Sequence, residues 1–216
     1  MHHKNTTFTM PRLFYDNIAT SCNAKIFFWH ITENSKELSE LIADNGLSLA
    51  EAEKSFKSAS RQREWLATRA LLQLTPYSRE VIRYHSNGKP FFAGNNMHIS
   101  ISHTKDIVAI AISGHPIGID VETASRNALA VTSSFLKPCE MAELQNVQDQ
   151  ANEAVRLWSA KEAAFKLASE KVAILKEIGI TKNANDYTVT YPDCSVAKCD
   201  SYTLGDIILS VATFGY

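Results

Sequence analysis

The chain has 216 residues, 22 Lys and Arg against 23 Asp and Glu, a formal net charge of -1 and 45% hydrophobic residues. That length buries the core of one medium domain or two small ones, and the balanced charge argues against nucleic-acid binding through bulk electrostatics. No apolar run approaches the ~20 residues a bilayer span needs, no signal-like order opens the chain, and Cys22, Cys139, Cys194 and Cys199 lack metal or redox spacing, so a cytoplasmic protein with reduced thiols is expected.

In chain order, residues 24–30 read as a buried strand and 36–58 as polar and helical. Residues 61–74 form an amphipathic helix, with Trp65, Leu66, Ala70 and Leu71 one and two turns apart before Pro76. Short β-prone runs follow at 81–84, 91–92, 97–102 and 107–113, divided by Asn87-Gly88, Gly94-Asn95 and Gly114-His115-Pro116. After the acidic stretch at 118–122 the pattern returns to helix at 126–136, again behind a first-turn Pro138, and at 152–169. Strands at 187–191, 195–199 and 207–214 close the chain. Helices followed by strands occur twice, which predicts an α+β fold of two halves, 1–114 and 115–216, each packing helices on an antiparallel sheet.

Two stretches carry the chemistry. In Gly118-Ile119-Asp120-Val121-Glu122, strand alternation turns Asp120 and Glu122 to one face and Ile119 and Val121 to the other. In 158–166, helical spacing stacks Trp158, Glu162 and Lys166 along one stripe. An acidic strand facing an acidic helix suits Mg²⁺, a hard cation that keeps waters and substrate phosphates among its ligands. Taken alone, Glu162 and Lys166 would more often be a surface ion pair, and Asp120 and Glu122 the wet face of an edge strand. Trp158 and Phe165 read as core contacts that fix the aim of the helix.

Gly88-Lys89-Pro90, then 99–104 (Ile-Ser-Ile-Ser-His-Thr), then the acidic strand, then 158–166 stand in an order that resembles the 4′-phosphopantetheinyl transferase superfamily, in particular its larger, surfactin-type branch. The resemblance covers roughly residues 60–170. It implies an enzyme that moves the phosphopantetheine arm of coenzyme A onto a serine of an apo acyl or peptidyl carrier protein, with Mg²⁺. It also implies a monomer of two similar halves with coenzyme A between them.

Carried across by motif, Asp120, Glu122 and Glu162 resemble the metal-binding acids, and Lys166 the lysine that meets the reacting phosphate. Lys89, Ser102 and His103 resemble contacts to coenzyme A phosphates, and Arg69 the arginine near the 3′-phosphate. The alternative for Arg69 is a helix-surface cation lying over Trp65. Lys54 and Lys57 are upstream candidates for the nucleotide end, with Arg61 and Arg63 competing for that role. Lys161 is expected either beside a phosphate or as a solvated charge. His98 departs from the family pattern without touching this chemistry.

In such a transfer Glu162, directly or through a metal-bound water, would take the proton of the carrier serine. Arg126, Lys137 and the apolar Leu129, Val131, Phe135 and Leu136 follow the acidic strand closely and are expected to offer a carrier-binding groove. Two alternatives are a catalytically silent carrier-binding homologue and a Mg²⁺-dependent nucleotide hydrolase.

Overall fold

The computed structural model describes residues 14–15, 23–43, 47–168, 170–184 and 186–215. Expectations that fall on the first residues, on Cys22 or on Ser169 lie outside them. The first part of the chain runs β1 (Phe14–Tyr15), β2 (Lys25–His30), α1 (Ser35–Leu41), α2 (Leu49–Ser55), α3 (Ala59–Gln73), β3 (Ile82–Tyr84), β4 (Pro90–Phe92), β5 (His98–Thr104) and β6 (Ile107–Ser113). The second runs β7 (Ile117–Thr123), α4 (Thr132–Phe135), α5 (Pro138–Leu144), α6 (Gln150–Leu167), β8 (Gly179–Asn183), β9 (Asp186–Thr190), β10 (Val196–Leu204) and β11 (Ile207–Phe214).

One antiparallel sheet has the order β1-β2-β6-β5, and a second has the order β7-β11-β10-β9-β8. The fold is α+β, and three apolar layers hold it. Alternation along β6 sends Val108, Ile110 and Ile112 toward α3, where they meet Leu66, Ala67, Ala70 and Leu71. Ala109 and Ala111, on the other face, lie with Ile26 and Phe28 against Ile119, Val121, Leu209 and Val211 of the second sheet. The far face of that sheet packs on α6 through Val155, Ala160, Ala163, Ala164 and Leu167.

The sheets also meet edge to edge. Ser100 and Ser102 of β5 offer their hydroxyls to the backbone N–H groups of Ile119 and Val121 at 3.0 and 3.1 Å. These side chains satisfy buried donors that have no ladder partner on that edge of β7.

Several sequence expectations shift. The polar stretch 36–58 resolves into two short helices, each opened by a capping box, at Asn34 with Glu37 and at Ser48 with Glu51. Residues 126–136 do not form one helix but a 3₁₀ turn, Leu129–Val131, followed by the four-residue α4. The hydroxyls of Thr132 and Ser134 donate to the Leu129 and Val131 carbonyls, local bonds that compete with helix propagation. Among the described residues, strands β3 and β4 pair only with each other, and β8 was not anticipated.

Candidate active site between the acidic strand and its facing helix

Gly118 sets the distance between β7 and α6. A Cβ built there would lie 2.0 Å from the Ala163 carbonyl oxygen and 2.5 Å from the Leu167 nitrogen, so only glycine admits the helix backbone this close. Asp120 and Glu122, two and four residues on, therefore point to the same face as Gly118 and meet α6 side chains.

Asp120 is 5% exposed. Its Oδ1 accepts from Lys166 Nζ at 2.8 Å and from the Ser102 hydroxyl at 2.9 Å, while Oδ2 is buried with no hydrogen-bond partner among the described residues. Glu122 Oε1 accepts from Trp158 Nε1 at 2.9 Å and pairs with Arg126 at 2.7 Å; the Arg126 guanidinium also lies 4.4 Å above the Trp158 ring. Burial, and then the negative charge of Asp120, push the Glu122 carboxyl up to about 7 despite Arg126 and Trp158. Burial and Asp120 also raise Glu162, against the opposing pull of Lys166 and Arg126. The three acids thus share one electrostatic neighbourhood, and the stripe Trp158–Glu162–Lys166 faces it.

The donor set fits a hard divalent cation in kind: three carboxylates, one with an orphaned buried oxygen and two whose charge is disfavoured without a counter-ion. In this arrangement, with Lys166 on Asp120 and Arg126 on Glu122, no three His, Cys, Asp or Glu side chains among the described residues converge closely enough to hold an ion. Arg126, expected on a carrier-facing surface, pairs with Glu122 and keeps its side chain 38% exposed.

A cleft of about 420 Å³ opens beside this centre, lined by Arg61, Glu64, Trp65, Tyr84, Gly88 and His103 among others. A smaller one of about 160 Å³ shares Gly88, Pro90 and Ile101 with it and reaches Lys166. Together they form a path from α3 to Lys166. The turn that borders both depends on Gly88, at φ +84°, which carries the chain round before Lys89.

His103 lies 3.3 Å from Glu64 and 3.5 Å from Arg61. Its pKa is lowered, chiefly by burial, with Arg61 and Lys166 adding to the effect and Glu64 and Asp120 opposing it.

Other candidates are placed differently. Ser102 is buried, and its hydroxyl already bonds Asp120, Lys166 and the Val121 N–H, so it braces the centre from within. Lys89 donates to the Leu167 carbonyl at 2.7 Å, a cation at the C-terminal end of α6. The Arg69 guanidinium is buried 3.5 Å over the Trp65 ring and donates to the Trp65 carbonyl, the helix-bound alternative. Lys54 and Lys57 are exposed on either side of Phe56, a cleft-lining residue. Of the two competing arginines, Arg63 is consumed by the Glu33 and Ile31 carbonyls and Asp106, whereas Arg61 lines the cleft.

Three expectations are corrected. Phe135 and Leu136 are 1% and 0% exposed and cannot form a carrier surface. Phe135 packs edge-on against Trp158 at 5.1 Å, so it supports the site from the core. Lys161 is neither beside the acids nor solvated: about 100° round the helix from Glu162, it is fully buried and donates to Glu140 at 2.6 Å and to the Phe135 and Ile178 carbonyls. Leu129 and Val131 are exposed, at 38% and 42%, and Lys137 is partly so.

Sequence reasoning missed Arg126 as the partner of Glu122, Glu64 beside His103, and the role of Gly118. The spacing Glu122–Arg126 is the one signal that could have shown the first.

Comparison with known proteins points to one family. Residues 116–203 match the model of the 4′-phosphopantetheinyl transferase superfamily. The chain is 32% identical over 133 residues to the 4′-phosphopantetheinyl transferase gsp of Aneurinibacillus migulanus, covering 59% of this chain and 55% of that one. It is 32% identical over 90 residues to a 4′-phosphopantetheinyl transferase of Bacillus subtilis, covering 40% of each. With psf-1 of Bacillus pumilus the identity is 31% over 101 residues, 45% of this chain and 43% of that one. The chain spans about half the length of the curated relatives it matches. The similarity to the 4′-phosphopantetheinyl transferase superfamily thus lies in residues 116–203 of this chain.

Proposed function

We propose that the protein is a 4′-phosphopantetheinyl transferase, which moves the phosphopantetheine arm of coenzyme A onto a serine of an apo acyl or peptidyl carrier protein. The observation that carries this reading is that Asp120, Glu122 and Glu162 share one electrostatic neighbourhood with Lys166, which lines a small pocket adjoining the cleft of Arg61 and His103. The family match supports it. The chain divides at residues 114 and 115 into two α+β halves, with coenzyme A between them.

Asp120, Glu122 and Glu162 would hold Mg²⁺, which when bound would neutralise the pyrophosphate oxygens. With that charge supplied, the carboxylates would no longer need Lys166 and Arg126 as counter-ions, and Lys166, which lines the small pocket, would meet the phosphate there. The carrier serine oxygen attacks the phosphorus nearer the pantetheine arm, and its proton passes to Glu162. A serine-oxygen to phosphorus bond forms, the bond to the bridging oxygen breaks, and adenosine 3′,5′-bisphosphate leaves. Burial and the charge of Asp120 raise Glu162 in the metal-free site, which strengthens it as a base. Arg61 and His103 bind phosphate in the larger cleft. The exposed Leu129 and Val131 with Lys137 are what remains of the expected carrier surface. The protein acts in the cytoplasm as a monomer.

Intact-mass measurement tests the proposal. Apo-carriers of fatty-acid, polyketide and peptide-synthetase type are incubated with the protein, coenzyme A and Mg²⁺, and one of them should gain a single phosphopantetheine group. Glu162→Gln and Lys166→Ala should slow the gain by about 10²-fold or more. Nucleotide release without carrier would mark a hydrolase instead. Carrier binding without any mass gain would mark a silent homologue.

A further inference from the structure

Two walls of the small pocket at Lys166 come from distant parts of the chain: the turn 87–90 on one side, and Phe165 and Lys166 of α6 on the other. The turn is closed within itself. The His85 N–H donates to the Lys89 carbonyl at 3.0 Å, the Gly88 N–H to the His85 carbonyl at 2.9 Å, and the Lys89 N–H to Asn87 Oδ1 at 3.1 Å. Its two strands pair only with each other among the described residues, so no sheet ladder sets its place against α6. The Lys89 ammonium makes that tie directly. It reaches the last residue of α6, 78 positions on, and donates to the Leu167 carbonyl at 2.7 Å, with Glu170 Oε2 at 3.8 Å. Carbonyls in the last turn of a helix lack an intrahelical donor and carry partial negative charge, so an ammonium is a favourable partner there. From the other side the Tyr191 hydroxyl holds the Ala164 carbonyl at 2.8 Å.

We propose that Lys89 is a positioning residue rather than a phosphate ligand: it straps the turn to the end of α6, fixes the width of the pocket in which Lys166 meets the phosphate, and stays on Leu167 when coenzyme A is bound. This rests on the reading of that pocket as part of the coenzyme A site. Lys166 directly precedes Leu167, so the strap acts on the helical turn that carries the reacting lysine. The two lysines differ in what could replace them. Lys166 holds a carboxylate, which a cation can take over. Lys89 holds a carbonyl, and a phosphate oxygen, which only accepts, cannot take its place. Drawing Lys89 onto the phosphate would therefore leave the end of α6 without its donor and free the turn at the same moment.

The test compares Lys89→Met, which keeps the length of the side chain and loses its N–H groups, with Lys89→Arg, which keeps charge and donors, in the full chain. Amide hydrogen exchange without coenzyme A reads the strap itself. Lys89→Met should speed exchange both in residues 85–92 and in the last turn of α6, and Lys89→Arg should do so in neither. Calorimetric titration with coenzyme A at several ionic strengths, and the rate of mass gain by an apo-carrier, read its role. Lys89→Met should bind coenzyme A within about threefold of the wild type and with the same salt dependence, since no phosphate contact is lost. Its kcat should fall by about tenfold, a partial form of the 10²-fold loss that misplacement by an ångström brings. Lys89→Arg should recover most of that turnover.

Binding weakened by about tenfold or more in Lys89→Met, with a shallower salt dependence, is what loss of a charge-assisted phosphate contact gives; it would overturn the assignment and leave the coenzyme A reading intact. Unchanged exchange or unchanged kcat in Lys89→Met would also overturn it. Absence of coenzyme A binding by the wild type would overturn the coenzyme A reading and the role of Lys89 with it.

Discussion

Adding one methyl group at Gly118 should disable the site without touching any residue that bears chemistry. In Gly118→Ala the new Cβ would lie 2.0 Å from the Ala163 carbonyl oxygen and 2.5 Å from the Leu167 nitrogen, both backbone atoms of α6 that no rotamer change can move. Ordinary contact begins near 3.4 Å, so the helix must retreat by more than an ångström. Glu162 and Lys166 each directly precede one of those two residues and travel with them, while Asp120 and Glu122 stay on β7. Overpacking of this kind costs about 1–3 kcal/mol, and misplacement of catalytic groups by an ångström costs about 10²-fold in rate. Thermal melting and the rate of mass gain by an apo-carrier read the two effects separately. Gly114→Ala is the control, since that position is exposed and a Cβ there meets nothing within 4 Å. A folded Gly118→Ala variant with wild-type turnover would refute the reasoning, because the strand and helix would then not need this spacing.

Two further outcomes follow from the buried charges. Lys161→Ala leaves Glu140 unpaired in the core and should destabilise the fold by about 3–5 kcal/mol in urea unfolding; a loss below about 1 kcal/mol would show that the pair is not a structural clamp. For Glu122 the folded-state pKa is raised above the ordinary carboxylate value, so the native state holds a proton that the unfolded chain has already lost. Stability of the metal-free protein should therefore fall between about pH 4.5 and about 7 and level off above that. The contribution is on the order of 3 kcal/mol. Glu122→Gln should flatten that slope, and an unchanged slope would assign it to other groups.

Strand alternation and helical spacing were enough to put Asp120 and Glu122 on one face and Trp158, Glu162 and Lys166 on another, because both periods are fixed by backbone geometry. What they could not fix was depth. Phe135 and Leu136 followed the acidic strand closely enough to look like a rim, but a 3₁₀ turn and a four-residue helix fold them into the core, Phe135 against Trp158. Lys161 differs from Glu162 by one position, which on a helix is the difference between the acid cluster and the core on the far side. The fate of cations depends on long-range partners: Arg63 finds the Glu33 and Ile31 carbonyls, about 30 positions away, and no local pattern separates it from Arg61. Ser100 and Ser102 were legible as a motif, yet their use as caps for the free edge of β7 required the sheets to be seen side by side.

The most direct measurement is diffraction from crystals of the protein grown with coenzyme A and Mn²⁺ as a visible substitute for Mg²⁺. The account predicts an anomalous peak bound by Asp120, Glu122 and Glu162 and by the pyrophosphate, with Lys166 and Arg126 released from the carboxylates they hold at 2.8 and 2.7 Å without metal. An ion bound elsewhere, with both ion pairs still closed, would contradict it.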